Sequence, residues 1–145
     1  MNAAVQSVIL LSVAAGAAWA TFQWHPRAPA LYAVQEPLRD DEVTVQQIQE
    51  QWKGQVLWLD ARPRDQYDKE HVPGALMLNE QEFDAQLFEL LGTLQTNTKP
   101  IIIYCSGQRC EASRNVREKL VPLISGAEAF ILKGGWPAWK AAQSQ

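Results

Sequence analysis

Two cysteines, Cys105 and Cys110, lie in the segment Tyr104-Cys105-Ser106-Gly107-Gln108-Arg109-Cys110-Glu111. The thiolate is the nucleophilic form of cysteine, and a free thiol with pKa about 8.5 needs help from its surroundings to reach that form at neutral pH. Ile101-Ile102-Ile103-Tyr104 reads as a buried strand and a helix is expected from Glu111 to Leu120, so Cys105 falls on a strand-to-helix turn. Ser106 and Gly107 are small enough to let the N–H groups of the loop turn inward, and such a nest beside a helix N-terminus stabilises an anion. Arg109 would lower the Cys105 pKa further, while Glu111 and Asp60 would oppose it. A cysteine after an apolar strand is also a common small core residue. On the residues alone, both readings of Cys105 stay open.

The elements around the loop are legible from pattern. Thr44-Val45-Gln46-Gln47 has the form of a capping box and predicts a helix to Lys53, stopped by Gly54. Val56-Leu57-Trp58-Leu59 reads as a second buried strand, ending at Asp60. His71-Val72-Pro73-Gly74-Ala75 is a turn, and Met77-Leu78 a brief strand. Phe83, Leu87, Leu90, Leu91 and Leu94 recur at helical spacing over Glu82 to Leu94. Ala129 to Leu132 is a last strand, followed by a Gly134-Gly135 turn and a helix over Trp136 to Ala142. Strands alternating with helices predict a three-layer α/β domain with a mainly parallel sheet. Sites in such sheets form at the carboxyl ends of strands, where Asp60 and Cys105 both fall.

Composition bounds the remaining possibilities. The chain has 145 residues, 47% of them hydrophobic and 20% charged, with net charge −3. That is room for one compact domain plus an appendage. No Lys/Arg stripe occurs, so a nucleic-acid partner is not expected. Two cysteines without nearby histidines make a poor zinc site, and neither a metal nor a cofactor is expected. Residues 3–22 form a nearly continuous, Ala-rich apolar run broken by Gln6, Ser7, Ser12 and Thr21. Its length just meets the roughly 20 residues a spanning helix needs, and Trp19, Phe22 and Trp24 suit an interface. The expected organisation is a membrane anchor over 1–24, a proline-stiffened linker over 25–35 and a folded domain over 36–142. A signal peptide cleaved after Ala18-Trp19-Ala20 and a packed helix are the alternatives. Arg27 and Arg39 follow the span, which leans towards a cytoplasmic domain with the side left open.

Three motifs decide between the readings of Cys105. Asp60, Arg62, Tyr67 and His71-Val72-Pro73-Gly74-Ala75 follow the spacing D-x-R-x(4)-Y-x(3)-H-[IV]-P-G-A. Ile101 to Cys105 is an active-site strand of matching form, and Gly134-Gly135-Trp136-Pro137-Ala138-Trp139 matches G-G-[WY]-x-x-W. In this order they resemble the rhodanese-like, single-domain sulfurtransferase family across residues 36–142. The resemblance implies a five-stranded parallel sheet flanked by helices, preceded here by the N-terminal hydrophobic helix. It also implies a reaction in which Cys105 takes sulfur from a small donor, forms a persulfide and passes the sulfur to a thiol acceptor. Asp60 and Arg62 would then brace the loop, and His71 would brace its turn in preference to serving as a general base.

The loop departs from the common C-x-x-G-x-R-S form of the family. Its glycine comes one place early, Cys110 replaces a basic or hydroxylic residue, and Glu111 faces any incoming dianion with like charge. The phosphatase relatives of the fold need an arginine where Glu111 stands, which argues against phosphatase chemistry. Cys110 can attack a persulfide or sulfenic acid on Cys105, or simply pack at the helix start. The expected function is thus a sulfurtransferase using Cys105, with Cys110 as a possible resolving thiol. The alternative is a catalytically idle module that binds partners or presents sulfur at a membrane.

Overall fold

The computed structural model describes residues 2–24, 37–107, 111–124, 126 and 128–144. It divides into two compact units, Met1–Pro37 and Leu38–Gln145. The first unit contains helix α1 (Ala3–Trp24). Among the described residues no helix is long and apolar enough to cross a membrane. The expected single span through residues 3–22 is therefore corrected, and with it the membrane partner and the membrane-anchored location. Alanine, Gly16 and the polar Gln6, Ser7 and Ser12 dilute the apolar run. Ser12 spends its hydroxyl on the Val8 carbonyl of its own helix, at 2.9 Å.

The second unit is a five-stranded, wholly parallel sheet in the order β1-β5-β4-β2-β3. The strands are β1 (Glu42–Val43), β2 (Leu57–Asp60), β3 (Leu76–Met77), β4 (Ile101–Tyr104) and β5 (Ala129–Leu132). Helices α2 (Val45–Trp52), α3 (Arg64–Lys69), α4 (Phe83–Thr96), α5 (Glu111–Leu120) and α6 (Gly135–Gln143) connect and flank them. The expected parallel α/β sheet of five strands is what the chain forms. The capping box is also present: Thr44 Oγ1 accepts from Gln47 N–H at 3.2 Å, and Gln47 Oε1 accepts from Thr44 N–H at 2.9 Å. The helix it starts ends where Lys53 turns left-handed, at φ 54°.

One strand, β1, is absent from the sequence-based reading. It has two residues, and one of them is the acidic Glu42, so no apolar run marks it. Glu42 is nonetheless buried because Lys133 Nζ (3.0 Å) and Arg114 (3.5 Å) pair with its carboxylate. Ion pairing thus supplies what hydrophobic pattern does not.

The core lies in two layers, one on each face of the sheet. Leu59, Ile101, Ile103 and Cys105 pack with Val116 and Leu120 of α5 and Phe83 and Leu94 of α4. Ile102 and Tyr104 pack on the opposite face with Ile48, Leu132 and the tryptophans Trp52, Trp136 and Trp139. Alternate residues of β4 therefore serve opposite layers, as the period-2 geometry of a strand requires. Every β4 residue is buried, and β4 lies between β2 and β5. Truncating Ile103→Ala should leave a cavity in the α4–α5 layer and lower stability by about 2–5 kcal/mol, measured by urea unfolding.

Candidate functional site

From β2 the chain moves to β3 on one side, and from β4 it moves to β5 on the other. The adjacent carboxyl ends of β2 and β4 therefore form the crevice at which a parallel sheet offers a site. Asp60 and Tyr104 are register partners at those two ends, and Cys105 is the next residue. The expected pairing of Asp60 with Cys105 at one sheet end is thus a matter of adjacent backbone. Their side chains point to opposite faces.

Asp60 is fully buried, and its carboxylate is shared. Arg62 Nε and Nη2 donate to it at 3.0 and 2.7 Å, Arg62 N–H at 2.9 Å, and Tyr104 Oη at 2.7 Å. Arg62 Nη2 also reaches the Glu70 carbonyl at 2.7 Å, while Val72 N–H donates to Tyr104 Oη at 3.1 Å. This network fixes the turn after β2 to the end of β4. Burial disfavours the charge of Arg62, but the hydrogen bonds and charge of Asp60 outweigh it and the guanidinium pKa is raised. Burial first, with help from Asp60, pushes the Tyr104 hydroxyl well above the ordinary tyrosine range.

Arg62 also stacks on Trp136, its Cζ 4.4 Å from the ring centroid. Trp136 N–H in turn donates to the Cys105 carbonyl at 2.7 Å. The backbone can come this close because Gly134 (φ 79°) and Gly135 (φ 55°) turn left-handed where α6 begins. A Cβ on Gly135 would overlap the Cys105 carbonyl oxygen. The Gly-Gly-Trp box is therefore a clamp on the backbone of Cys105.

The side chain of Cys105 enters the other layer and is 2% exposed. Its sulfur is held in a disulfide in this structure. Ser113 Oγ of α5 donates to Cys105 Sγ at 3.5 Å, and the Gly107 carbonyl oxygen lies 3.5 Å from the same sulfur. Ser106 Oγ donates to Gln66 Oε1 of α3 at 2.9 Å, tying the loop to the neighbouring helix. Gln108, Arg109 and Cys110 lie outside the described residues.

His71 stacks on Tyr67, with ring centroids 3.9 Å apart and planes within 5°. Its Nδ1 lies 2.8 Å from the Tyr67 carbonyl, and Tyr67 Oη donates to the Ala75 carbonyl at 2.8 Å. These contacts brace the 71–75 turn. Among the described residues no group of three His, Cys, Asp or Glu side chains is placed to hold a metal ion.

Sequence reasoning missed the parts played by Tyr104, Trp136 and Ser113. Tyr104 reads as one more apolar strand residue, and Trp136 as packing. The one available signal for Ser113 is a hydroxyl on the Ser113, Val116, Leu120 stripe of α5, where the other two members are apolar.

Tyr104→Phe would leave Val72 N–H without its acceptor and take one donor from Asp60. A stability loss of about 1–3 kcal/mol at neutral pH is expected from denaturant unfolding. The native state holds the Tyr104 proton more tightly than the unfolded chain does. Wild-type stability should therefore fall as pH climbs past the unfolded tyrosine value of about 10. The phenylalanine variant should lose less stability over that same range.

The Rhodanese-like domain family matches residues 44–142. Among solved structures, the thiosulfate sulfurtransferase of Pseudomonas aeruginosa superposes with TM-score 0.56 at 26% identity, covering 74% of this chain and 19% of that one. A Bacillus halodurans protein superposes with TM-score 0.54 at 24% identity, covering 70% and 72% respectively. An HTH-type transcriptional regulator of Mycobacterium tuberculosis is 31% identical over 93 residues, 61% of this chain. This chain spans 36% of the regulator's length. The family match takes in the Asp60–Arg62 brace, the Cys105 loop and the Gly-Gly-Trp clamp together, and the chain belongs to the rhodanese-like family.

Proposed function

We propose that this chain is a sulfurtransferase whose nucleophile is Cys105, with residues 36–142 as the working unit. The observation that carries the reading is the position of Cys105 at the carboxyl end of β4, held by the Trp136 N–H bond at 2.7 Å. Family membership and the 26% identity to a thiosulfate sulfurtransferase support it.

In the first half-reaction the reduced Cys105 thiolate attacks the outer sulfur of a donor such as thiosulfate. A Cys105 S–S bond forms, the donor S–S bond breaks, and sulfite leaves with the bonding electron pair. An acceptor thiolate then attacks the outer sulfur of the persulfide and regenerates the Cys105 thiolate. Two S–S exchanges suffice, and no metal or cofactor takes part in them. Asp60, Arg62 and His71 act as braces, and Ser106, Gly107, Gln108, Arg109 and Cys110 are the active-site loop of this reading. Cys110 gives a second exit: its thiol attacks Cys105 Sγ, hydrosulfide leaves, and an intramolecular disulfide remains for an external dithiol to reduce.

Incubating the reduced full chain with thiosulfate, or with a polysulfide, should add the mass of one sulfur. Cys105→Ser should abolish that gain. No adduct from either donor would favour an idle binding module instead. Under mild oxidant the reduced chain should lose two mass units reversibly, and Cys110→Ser should prevent the loss.

A further inference from the structure

Ser113 stands eight residues after Cys105 in the sequence, beyond residues 106–110, and is 1% exposed. It belongs to the inward stripe of α5, where Val116 and Leu120 are also buried. An alanine would pack at such a position as well as a serine, so the hydroxyl carries the information. Its donation to Cys105 Sγ at 3.5 Å, made to the sulfur in its disulfide form, joins the two elements that meet at the site, the end of β4 and the first turns of α5.

We infer that Ser113 is a catalytic residue, the side-chain donor that stabilises negative charge on Cys105 Sγ. This rests on the sulfurtransferase reading above. In that reaction Sγ is anionic at both ends of the cycle. It is the attacking thiolate when the donor arrives, and the leaving thiolate when the acceptor takes the outer sulfur. Stabilising the anion raises the thiolate fraction at neutral pH, which outweighs the smaller fall in intrinsic nucleophilicity. In the second half-reaction it assists the departure of the same sulfur, since a lower leaving-group pKa speeds exchange. A hydrogen bond from a buried hydroxyl does this without bringing a positive charge into the apolar layer of Val116 and Leu120.

Among the described residues, the charges near this sheet end include Asp60 and Arg62, paired beneath the opposite face, and on α5 Glu111 and Arg114, the latter paired with Asp41. These groups, like Arg109 of the loop, are unchanged in sequence when Ser113 is changed, so their influence cancels in a comparison of variants.

The test uses the reduced full chain carrying Cys110→Ser, which leaves Cys105 as the single thiol, with no sulfur donor present. The rate of alkylation by iodoacetamide, followed from about pH 5 to about pH 10, reports the thiolate pKa. Adding Ser113→Ala should raise that pKa by about one unit, while Ser113→Thr, which keeps a hydroxyl, should hold it near the parent value. An alanine variant that titrates with its parent overturns the inference: the hydroxyl then spends its proton on the helix backbone. Should the alanine variant fail to fold, Ser113→Thr and Ser113→Val decide the matter, because they share a shape and differ in the hydroxyl. A higher pKa in the valine variant than in the threonine variant supports the donor, and equal values overturn it. Failure of the sulfurtransferase reading shows elsewhere, as the absence of a sulfur adduct on a Cys105 whose pKa still responds to Ser113.

Discussion

A carboxylate buried as completely as that of Asp60 is tolerated only when its charge and its lone pairs are satisfied where it lies. Arg62 supplies the opposing charge and two side-chain donors, and Tyr104 supplies a third from the neighbouring strand. Removing one partner of such a group leaves an uncompensated charge in a low-dielectric interior, a penalty of several kcal/mol. The arrangement is therefore all or nothing, and its members hold one another in place. Through Arg62 it takes hold of the turn beyond α3 at the Glu70 carbonyl, and of Trp136 by stacking. Through Tyr104 it takes hold of Val72. Three segments distant in sequence converge there, and the backbone of Cys105 is fixed between them.

The alternation of a strand then separates the polar bracing from the Cys105 sulfur. Tyr104 and Cys105 are consecutive, so their side chains must leave β4 on opposite faces. Polar bracing occupies the layer of Trp136 and Trp139, and the sulfur occupies the layer of Val116 and Leu120. The Asp60–Arg62 pair can thus organise the site without placing its charges against the thiol. Backbone groups carry the connection between the layers: the Cys105 carbonyl accepts from Trp136 N–H, and Ala61 N–H donates to the Tyr104 carbonyl at 2.9 Å.

Much of this was legible in the sequence, for reasons that differ by element. β4 and β5 announce themselves as short apolar runs, and α2 by its capping box. Asp60, Arg62 and the Gly-Gly-Trp box stood out by spacing, and the family resemblance those motifs carry implied the number of strands. β1 left no trace because two residues cannot show a period and one of them is charged. The sharing of the Asp60 carboxylate by Tyr104 could not be read at all, since it depends on a register set by β2 and β4 across 44 residues of chain. Residues 3–22 misled in the other direction. Counting residues against the length of a span admits alanine as apolar, and this run is diluted by alanine, glycine, glutamine and serine.

Both outer strands of the sheet, β1 and β3, are two residues long. An exposed edge normally presents a row of unpaired N–H and C=O groups on which another chain can add a strand. Here each margin offers too little backbone to template such an addition, and at β1 a buried carboxylate with its lysine and arginine partners occupies the rim as well. The sheet is finite by construction. Growth into a continuous intermolecular ladder would first require the margins to lengthen, at the expense of the ion pairs that bury Glu42.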